Sequence, residues 1–173
     1  AYGESKLQAE WLINGLEDKN FHVAILRPPM IYGKGCKGNY NDLAKIAKTS
    51  PIFPKINNYR SMLYIGNLCE FIRLLIDDIA RGNFFPQNKE YVNTSDMVKK
   101  IGNIHQRKVH LVPGGRFLVE GIKYIPGGIG KKSNKAFGNL MIDKSLSIYR
   151  NDIGKEVNYQ VFDFESSIRE TEK

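Results

Sequence analysis

A tyrosine and a lysine near the start of the chain have the types and spacing needed for proton-transfer chemistry. Tyr2 and Lys6 are four residues apart, so they share one face if this segment is helical. A lysine ammonium near a phenol favours the phenolate and lowers the tyrosine pKa toward neutral. Such a tyrosine can accept a proton from a hydroxyl group while hydride leaves the same carbon. The spacing alone defines no function, because a chain with 9 tyrosines and many lysines is expected to contain about one such pair by chance.

The segments around this pair are predicted to form half of an α/β unit. Apolar residues recur at helical spacing over residues 3–19, and Asn20 closes that segment. Residues 21–26 are a short apolar run of the kind found in buried strands. Pro28 and Pro29 must end this strand, because proline cannot continue a central strand. A helix, a turn and a buried strand in this order imply a parallel sheet.

The rest of the chain alternates between helical and extended patterns. Residues 114–139 are glycine-rich and give no clear pattern. Elsewhere the periodicity and capping residues predict these elements: a loop at 30–39, a helix at 41–48, an extended segment around Ile52 and Phe53, a strand at 61–65, a helix from a cap at Asn67 to Ala80, a short strand at 84–85, a helix from Thr94 or Ser95 to Ile104, strands at 109–113 and 140–142, a helix capped by Asp143, and a last helix opening at Asp163.

Composition narrows the class of protein. The chain has 173 residues, 42% of them hydrophobic, which suits one domain with a small second lobe. It has no apolar run of about 20 residues and no signal-peptide pattern, so we expect neither a membrane partner nor secretion. Two distant cysteines and three scattered histidines argue against a disulfide framework or a metal site, and fit the cytoplasm. The net charge of +8 comes from dispersed lysines without a nucleic-acid-binding motif, so nucleic acid is not an expected partner.

Four segments in a fixed order resemble a known enzyme family. Residues 1–10 are similar to the Tyr-Gly-x-Ser-Lys stretch of the extended short-chain dehydrogenases, and residues 25–33 to the strand and Tyr-Gly loop that follow it there. Residues 57–68 and 137–145 match two further segments of the nucleotide-sugar enzymes in this family. The order of the four segments is more specific than any one of them. The resemblance is to nucleotide-sugar epimerases and dehydratases, and the UDP-glucose 4-epimerases (galactowaldenases) are the most similar group we can name.

The resemblance implies a fold and an activity. The expected fold is α/β: residues 1–33 would be the C-terminal part of a Rossmann-type doubly wound domain, and residues 34–173 mainly a smaller α/β substrate-binding lobe, with some segments returning to the sheet. The expected activity is NAD-dependent epimerisation of a UDP-glucose or UDP-galactose type nucleotide sugar at C4, through a 4-keto intermediate. A homodimer is the expected assembly.

The resemblance also assigns roles to residues in the dinucleotide-binding part. Tyr2 would be the catalytic acid/base, and Lys6 would support it and hold the nicotinamide ribose. Pro28 and Pro29 would lie beside the nicotinamide, at the carboxyl end of a parallel strand, where such sheets bind their ligands.

Three further residues would contact the substrate. Arg60 would pair with its diphosphate, because a guanidinium fork suits phosphate oxygens; the alternative is a surface arginine. Phe53 would pack on the uracil ring, or else be an ordinary core residue. Asn39, or alternatively Asn41, opens the helix after the glycine-rich loop, where backbone amides could meet a phosphate. Loop capping explains Asn39 equally well.

The sequence departs from the family pattern in three places. Met30 stands where many members have an asparagine that touches the substrate, and Gly66 with Asn67 replaces a more usual acidic pair. Residues 33–38 have Gly-x-Gly-x-x-Gly spacing, but they do not follow a first strand. We therefore expect the pyrophosphate loop, and the serine or threonine that assists the tyrosine, upstream of this chain.

These departures leave alternatives open. Without its pyrophosphate loop the chain is expected to be inactive alone, and its exposed apolar helix and strand are expected to drive self-association. A 4,6-dehydratase or a 4-keto reductase of the same family would also use Tyr2 and Lys6. A non-catalytic nucleotide-sugar-binding module is the alternative from another class of protein.

Overall fold

The computed structural model describes residues 2–113 and 138–173. Its elements, in chain order, are α1 (Tyr2–Asn14), β1 (Ala24–Leu26), β2 (Met30–Tyr32), α2 (Asn39–Thr49), β3 (Ile52–Pro54), β4 (Met62–Tyr64), α3 (Ile65–Asp77), β5 (Gly82–Phe84), α4 (Thr94–Ile104), β6 (His110–Val112), a 3-10 helix (Lys144–Ser147) and α5 (Phe164–Glu172).

The strands pair in parallel, as the α/β pattern predicts. β1 pairs with β5, β2 with β4, and β3 with β6, and their first residues lie opposite each other (Ala24 and Gly82, Met30 and Met62, Ile52 and His110). Parallel strands need long crossover connections, and helices supply them here. The predicted parallel arrangement is therefore confirmed for the described residues.

The larger of two apolar clusters lies between the β2–β4 pair and the helices α2, α4 and α5. Tyr32 is at its centre and stacks on Tyr40 with ring centroids 5.3 Å apart. Gly102 lets α4 approach its neighbours, because an added Cβ would lie 2.6 Å from Cγ2 of Val109. This packing fixes β2 and β4, and with them the loops that precede these strands.

The smaller cluster covers the β1–β5 pair. Phe71 of α3 makes edge-on contacts with three aromatic rings, those of Phe84, Tyr149 and Tyr159, at centroid distances of 5.8, 5.3 and 4.6 Å. Leu75, one turn further along α3, completes the buried face. Residues 149–159 thus return to the strand that follows α1. The division at residue 33 into two lobes remains a prediction.

The first helix differs from its prediction in length and matches it in exposure. It ends at Asn14 rather than Lys19, because Asp18 accepts hydrogen bonds from the amides of Asn20 and Phe21 and forms a turn, both at 2.7 Å. Its apolar side chains are exposed, with Trp11 the most accessible at 76%. The self-association that this face would drive remains a prediction.

Several local predictions need correction. Residues 30–32 form β2 instead of loop, because β4 lies beside them and supplies the hydrogen bonds. Asn67 does not cap α3; its side chain is buried and pairs with Phe162. The cap of α4 is Asn93, which accepts from the amides of Ser95 and Asp96. Residues 140–142 make one isolated bridge, at Leu140, instead of a strand.

Two predicted caps are confirmed. The side chain of Asp143 accepts from the amide of Ser145 and begins a helical segment, which is a short 3-10 turn. Asp163 accepts from the amide of Ser166 at 2.7 Å and caps α5. Both carboxylates sit at helix N-termini, where negative charge is favourable, and the hydrogen bonds to serine lower the pKa of each.

A carboxylate near the end of α5 ties this helix to α2 and α4. The side chain of Glu172 is only 3% exposed and contacts three donors: Lys48 Nζ at 2.6 Å, His105 Nε2 at 2.6 Å and the Tyr40 hydroxyl at 2.8 Å. Burial opposes ionisation of this carboxyl group. The hydrogen bonds outweigh that effect, so the pKa of Glu172 is lowered.

The lowered pKa of Glu172 predicts a pH dependence of stability. A carboxyl group with a depressed folded-state pKa stabilises the fold above its unfolded-state value, and this contribution is lost as pH falls through the folded-state pKa. We expect the free energy of unfolding, measured with urea, to fall more steeply below about pH 4.5 in the wild type than in Glu172→Gln. Glu156→Gln, at an exposed glutamate, should behave as the wild type. Parallel curves for the wild type and Glu172→Gln would contradict this assignment.

Candidate active site

The structure places Tyr2 and Lys6 on α1, four residues apart and so on one face of the helix. Lys6 is exposed. Glu10, one turn further along the same stripe, forms an ion pair with Arg27, which directly follows β1. The backbone amide of Arg27 also donates to the carbonyl of Phe84 at 2.8 Å. The stripe that carries Tyr2 and Lys6 is thereby tied to the carboxyl end of the β1–β5 pair.

Pro28 and Pro29 form the link between β1 and β2, and both are half-buried. They therefore lie at the carboxyl end of β1, where parallel α/β sheets form their ligand crevice. Tyr2, Lys6 and these prolines are carried by two segments that the Glu10–Arg27 pair joins. The role of each residue remains a prediction.

The glycine-rich loop between β2 and α2 has a structural explanation. Gly33, Gly35 and Gly38 all have positive φ angles, at 154°, 79° and 145°. A side chain at Gly33 would collide with Ile65 of α3, because an added Cβ would lie 2.3 Å from Cγ2 of that residue. Turn geometry and helix packing therefore account for the Gly-x-Gly-x-x-Gly spacing, without a dinucleotide.

The N-terminus of α2 lies at the end of this loop. Gly38 occupies the cap position and offers no side chain, and Asn39 is the first helical residue. Asn41 donates instead to the carbonyl oxygen of Cys36, at 2.9 Å, and so holds the loop. The structure thus gives Asn41 the loop-stabilising contact, and the contact of Asn39 with substrate remains a prediction.

Arg60 is buried, with 7% of its surface exposed, so it is not the surface arginine that was the alternative. Its guanidinium donates to the carbonyl oxygen of Gly138 at 2.8 Å. Among the described residues it forms no ion pair, and burial lowers its pKa. A buried guanidinium facing only a neutral acceptor retains donors and charge for an anion.

Arg60 lies on the segment that leads into β4, and the proline link leads into β2. These two strands begin opposite each other, with Met30 paired with Met62. The bridge partners of Arg60 itself are Val92 and Leu140. Arg60 and the proline link therefore precede two paired strands.

A segment that we call the strap, residues 138–144, runs beside Arg60. Its residue Leu140 accepts from the amide of Ser61 at 2.8 Å, and its residue Asn139 accepts from the amide of Tyr59 at 2.9 Å. Sequence reasoning related the strap to a family segment, but it did not identify the residues that hold it. No spacing rule links residues so far apart in the chain.

Phe53 lies in β3 and is 1% exposed. Its ring belongs to the larger apolar cluster, which is the alternative that the sequence left open. Contact with a uracil ring remains a prediction, and this arrangement gives it no support beyond the sequence. The structure relates Tyr2 and Lys6 to Pro28 and Pro29 through the Glu10–Arg27 ion pair, and it places Arg60 before β4.

Two features are absent from the residues that the structure describes. None of their helices has the length and apolarity needed to cross a membrane. Within the same ranges, no group of three or more His, Cys, Asp and Glu side chains is arranged to hold a metal ion.

Two characterised proteins are similar in sequence. UDP-glucose 4-epimerase from Vibrio cholerae is 35% identical over 106 residues, which are 58% of this chain and 32% of that protein. N-acetyl-alpha-D-glucosaminyl-diphospho-ditrans,octacis-undecaprenol 4-epimerase from Escherichia coli O157:H7 is 32% identical over 117 residues, 62% of this chain and 35% of that protein. The matched region is therefore about a third of either relative. No family model matches the chain.

Solved structures share the fold. UDP-N-acetylglucosamine 4-epimerase from Bacillus cereus superposes with a TM-score of 0.64 at 17% identity, covering 99% of this chain and 54% of the other. UDP-glucuronic acid 4-epimerase from the same species, solved with NAD, gives 0.57 at 14% identity, with 98% and 50% coverage. RMD from Pseudomonas aeruginosa, solved with NADPH, gives 0.62 at 14% identity, with 99% and 54% coverage.

These comparisons confirm the predicted fold class and the resemblance. The α/β fold is that of the C-terminal part of Rossmann-type epimerases and reductases, together with their smaller lobe. A nicotinamide dinucleotide, either NAD or NADPH, is bound in neighbouring structures. In sequence this chain is similar to about a third of two sugar 4-epimerases, and it shares the fold of solved epimerases and reductases.

Proposed function

We propose that the chain supplies the acid/base and substrate-binding residues of an NAD-dependent enzyme that epimerises a nucleotide sugar at C4. The substrate would be of the UDP-glucose or UDP-galactose type. Similarity to two 4-epimerases supports the reaction class. We also propose that the enzyme is a cytoplasmic homodimer.

The observation that carries the proposal is the burial of Arg60. Its guanidinium is buried and desolvated, and its described partner is one neutral carbonyl. No described residue supplies the opposite charge, and an uncompensated buried charge is costly, so we propose that the site favours an anion that offers paired oxygens. A diphosphate has this chemistry. Arg60 and the proline link precede the paired strands β4 and β2, and we propose that the attached sugar extends from Arg60 toward the crevice that Tyr2 and Lys6 border.

The proposed mechanism assigns one proton transfer to this chain. Tyr2, as phenolate, accepts the proton of the C4 hydroxyl group, and Lys6 stabilises the phenolate charge. A nicotinamide cofactor, when bound, would supply the redox chemistry, as acceptor and then donor of the C4 hydride. The 4-keto sugar then rotates to present its opposite face, while Arg60 holds the diphosphate. Tyr2 then returns its proton to the C4 oxygen, and the hydroxyl group has the opposite configuration.

Residues 1–173 include one Gly-x-Gly-x-x-Gly run, and helix packing and turn geometry account for it. We therefore propose that these residues alone do not convert substrate, because among those that the structure describes none is suited to hold the pyrophosphate of the dinucleotide. Incubation with NAD and UDP-galactose should yield no UDP-glucose. Formation of UDP-glucose would contradict this part of the proposal.

Ligand binding by the chain tests the role of Arg60. UDP, UDP-glucose and UDP-galactose are expected to raise the melting temperature in a thermal-shift titration. A ligand at about 100 times its Kd adds roughly 2.7 kcal/mol when it binds only the folded state. Arg60→Ala should abolish the shift, because the diphosphate loses its guanidinium partner.

Two control variants separate binding from folding. Arg60→Lys retains charge but not the fork geometry, so it should bind more weakly than the wild type and more tightly than Arg60→Ala. Arg107→Ala, at an exposed arginine, should retain the full shift. An unchanged shift in a folded Arg60→Ala protein would contradict the assignment of the phosphate site.

Two alternatives use the same residues. A 4,6-dehydratase or 4-keto reductase would share Tyr2 and Lys6, and analysis of products by NMR distinguishes these reactions. A sugar on a polyprenyl diphosphate is a second candidate substrate, because the Escherichia coli relative, named for such a compound, matches the longer stretch of this chain. Retained binding of UDP-sugars without turnover of any of them would instead favour a non-catalytic binding module.

A further inference from the structure

Gln87 is at the centre of the contacts that hold the strap. It is fully buried, at 0% exposed. Its side-chain amide donates to the carbonyls of Ile142 and Asp143, at 3.1 and 3.2 Å. Its side-chain oxygen accepts from the Ser61 hydroxyl at 2.6 Å and from Lys144 Nζ at 3.2 Å. Both donors and both acceptor positions of the amide are thus used, and three of the four partners belong to the strap.

Ser61 connects these hydrogen bonds of Gln87 to Arg60, its neighbour in the chain. The Ser61 hydroxyl accepts from the amide of Ile142 at 2.8 Å while donating to Gln87. The guanidinium of Arg60 donates in turn to Gly138, the first residue of the strap. The position of the guanidinium therefore depends on the strap, and the position of the strap depends on Gln87.

Lys144 closes the other end of the strap. Its ammonium donates to the backbone carbonyl of Asn88 at 2.7 Å and lies 4.1 Å from the centre of the Tyr91 ring. The Tyr91 hydroxyl donates to the carbonyl of Ile142 at 2.9 Å. Gln87, Asn88 and Tyr91 thus support the strap, and the first two of them are fully buried.

We infer that Gln87 is a positioning residue that sets the affinity for the substrate diphosphate by holding the strap against Arg60. This inference rests on the proposed function, because it takes the ligand of Arg60 to be a diphosphate. Gln87 acts without touching the ligand. A guanidinium held in place before binding loses little conformational freedom on binding, whereas one beside a loose strap must be ordered at the expense of affinity.

The test measures UDP binding to the chain by calorimetry, well below the melting temperature. Gln87→Leu keeps a similar volume and removes all four side-chain hydrogen bonds. Its Kd for UDP should rise by about tenfold or more. Ser61→Ala removes one link in the same path and should raise the Kd by a smaller factor, with less effect on folding.

Tyr159→Phe is the matched control. The Tyr159 hydroxyl contacts the main-chain nitrogen and oxygen of Gln87, both at 3.0 Å, and not its side chain. This variant should melt at a lower temperature with an unchanged Kd for UDP. If Tyr159→Phe weakens UDP binding as much as Gln87→Leu, loss of stability alone explains the effect and the inference is overturned. An unchanged Kd in Gln87→Leu, or in Ser61→Ala if Gln87→Leu does not fold, overturns it as well.

Hydrogen exchange supplies a readout that needs no ligand. The amides of Leu140 and Ile142 should exchange faster in Gln87→Leu than in the wild type, and not faster in Tyr159→Phe. Unchanged exchange in Gln87→Leu would overturn the inference that Gln87 holds the strap, whatever the Kd for UDP. A wild-type chain that does not bind UDP, with exchange accelerated in Gln87→Leu, would contradict the proposed function and the affinity role while retaining the mechanical link.

Discussion

Tyr2→Phe is expected to lower kcat of the complete enzyme by about 10²- to 10⁴-fold, the usual contribution of a positioned acid/base group. Phenylalanine keeps the ring and removes the oxygen that would accept the C4 proton. The KM for the nucleotide sugar should change little, because the diphosphate contact proposed for Arg60 is separate from the C4 hydroxyl group. The measurement is steady-state epimerisation of UDP-galactose with NAD present.

Lys6 should affect the same proton transfer through the pKa of Tyr2. Removing the ammonium in Lys6→Met takes away the charge that favours the phenolate. The rising limb of the profile of kcat against pH should therefore move to higher pH, and the KM for NAD should increase.

Tyr149→Phe is a control for removal of a phenol oxygen elsewhere in the chain. The Tyr149 hydroxyl donates to Asp78 in the smaller apolar cluster and has no part in the proposed chemistry. Its loss should reduce stability and leave kcat unchanged. A kcat within about threefold of the wild type in Tyr2→Phe would contradict the role of Tyr2, since acid/base groups contribute far more than that.

Local signals in the sequence predicted the order of most elements. The helices α2, α4 and α5 carry apolar residues at helical spacing, and these residues face the cluster that the strands β2 and β4 share. Asp143 and Asp163 were identified as caps because a short acidic side chain can satisfy a free amide within three residues. Such interactions are complete within one turn of helix, so the sequence alone contains them.

Long-range contacts were less accessible to the same reasoning. Strand β2 has only three residues and adjoins a glycine-rich loop, and its partner β4 begins 30 residues after Tyr32. Asn67 has the residue type of a cap but lies at a position where its amide pairs with Phe162, 95 residues away. Neither choice follows from local propensity, because a partner distant in the chain decides it.

The same distinction between local signals and long-range contacts applies to the candidate site. Tyr2 and Lys6 could be proposed from spacing, because both lie on one helix. The burial of Arg60 and its contact with Gly138 could not, since 78 residues separate the two. Gln87 carries no signal in the sequence at all: a single glutamine after Pro86 becomes significant only when four hydrogen bonds converge on it.

Asn88→Leu is expected to reduce the free energy of unfolding by roughly 3 to 6 kcal/mol, from the cost of leaving buried polar groups unpaired. Asn88 is fully buried, and its side-chain oxygen accepts from the amide of Tyr64 at 2.9 Å and from Asn67 at 3.0 Å. Its side-chain nitrogen donates to the Tyr32 hydroxyl at 2.9 Å. Leucine has a similar volume and satisfies none of these groups.

The effect should extend beyond the three direct partners. Burial raises the pKa of Tyr32 to about 12, so its hydroxyl keeps its proton. It can therefore donate a hydrogen bond to the hydroxyl of Ser167 in α5, 2.6 Å away. Asn67 in turn pairs with both the amide and the carbonyl of Phe162, each at 2.9 Å. Asn88 therefore joins β2 and β4 to the segment that enters α5, and a single substitution loosens all three.

Urea unfolding of three variants tests this prediction. Asn103→Leu, at an exposed asparagine of α4, should change stability by no more than about 0.5 kcal/mol. Asn88→Asp retains the acceptor for Tyr64 and Asn67 but loses the donor to Tyr32, so its stability should lie between those of Asn88→Leu and the wild type. Since small domains are stable by only about 5 to 15 kcal/mol, this loss is a large fraction of the total, and the urea midpoint of Asn88→Leu should fall accordingly. A loss below about 1 kcal/mol would mean that the buried groups find other partners, and that α5 is held mainly by apolar contacts.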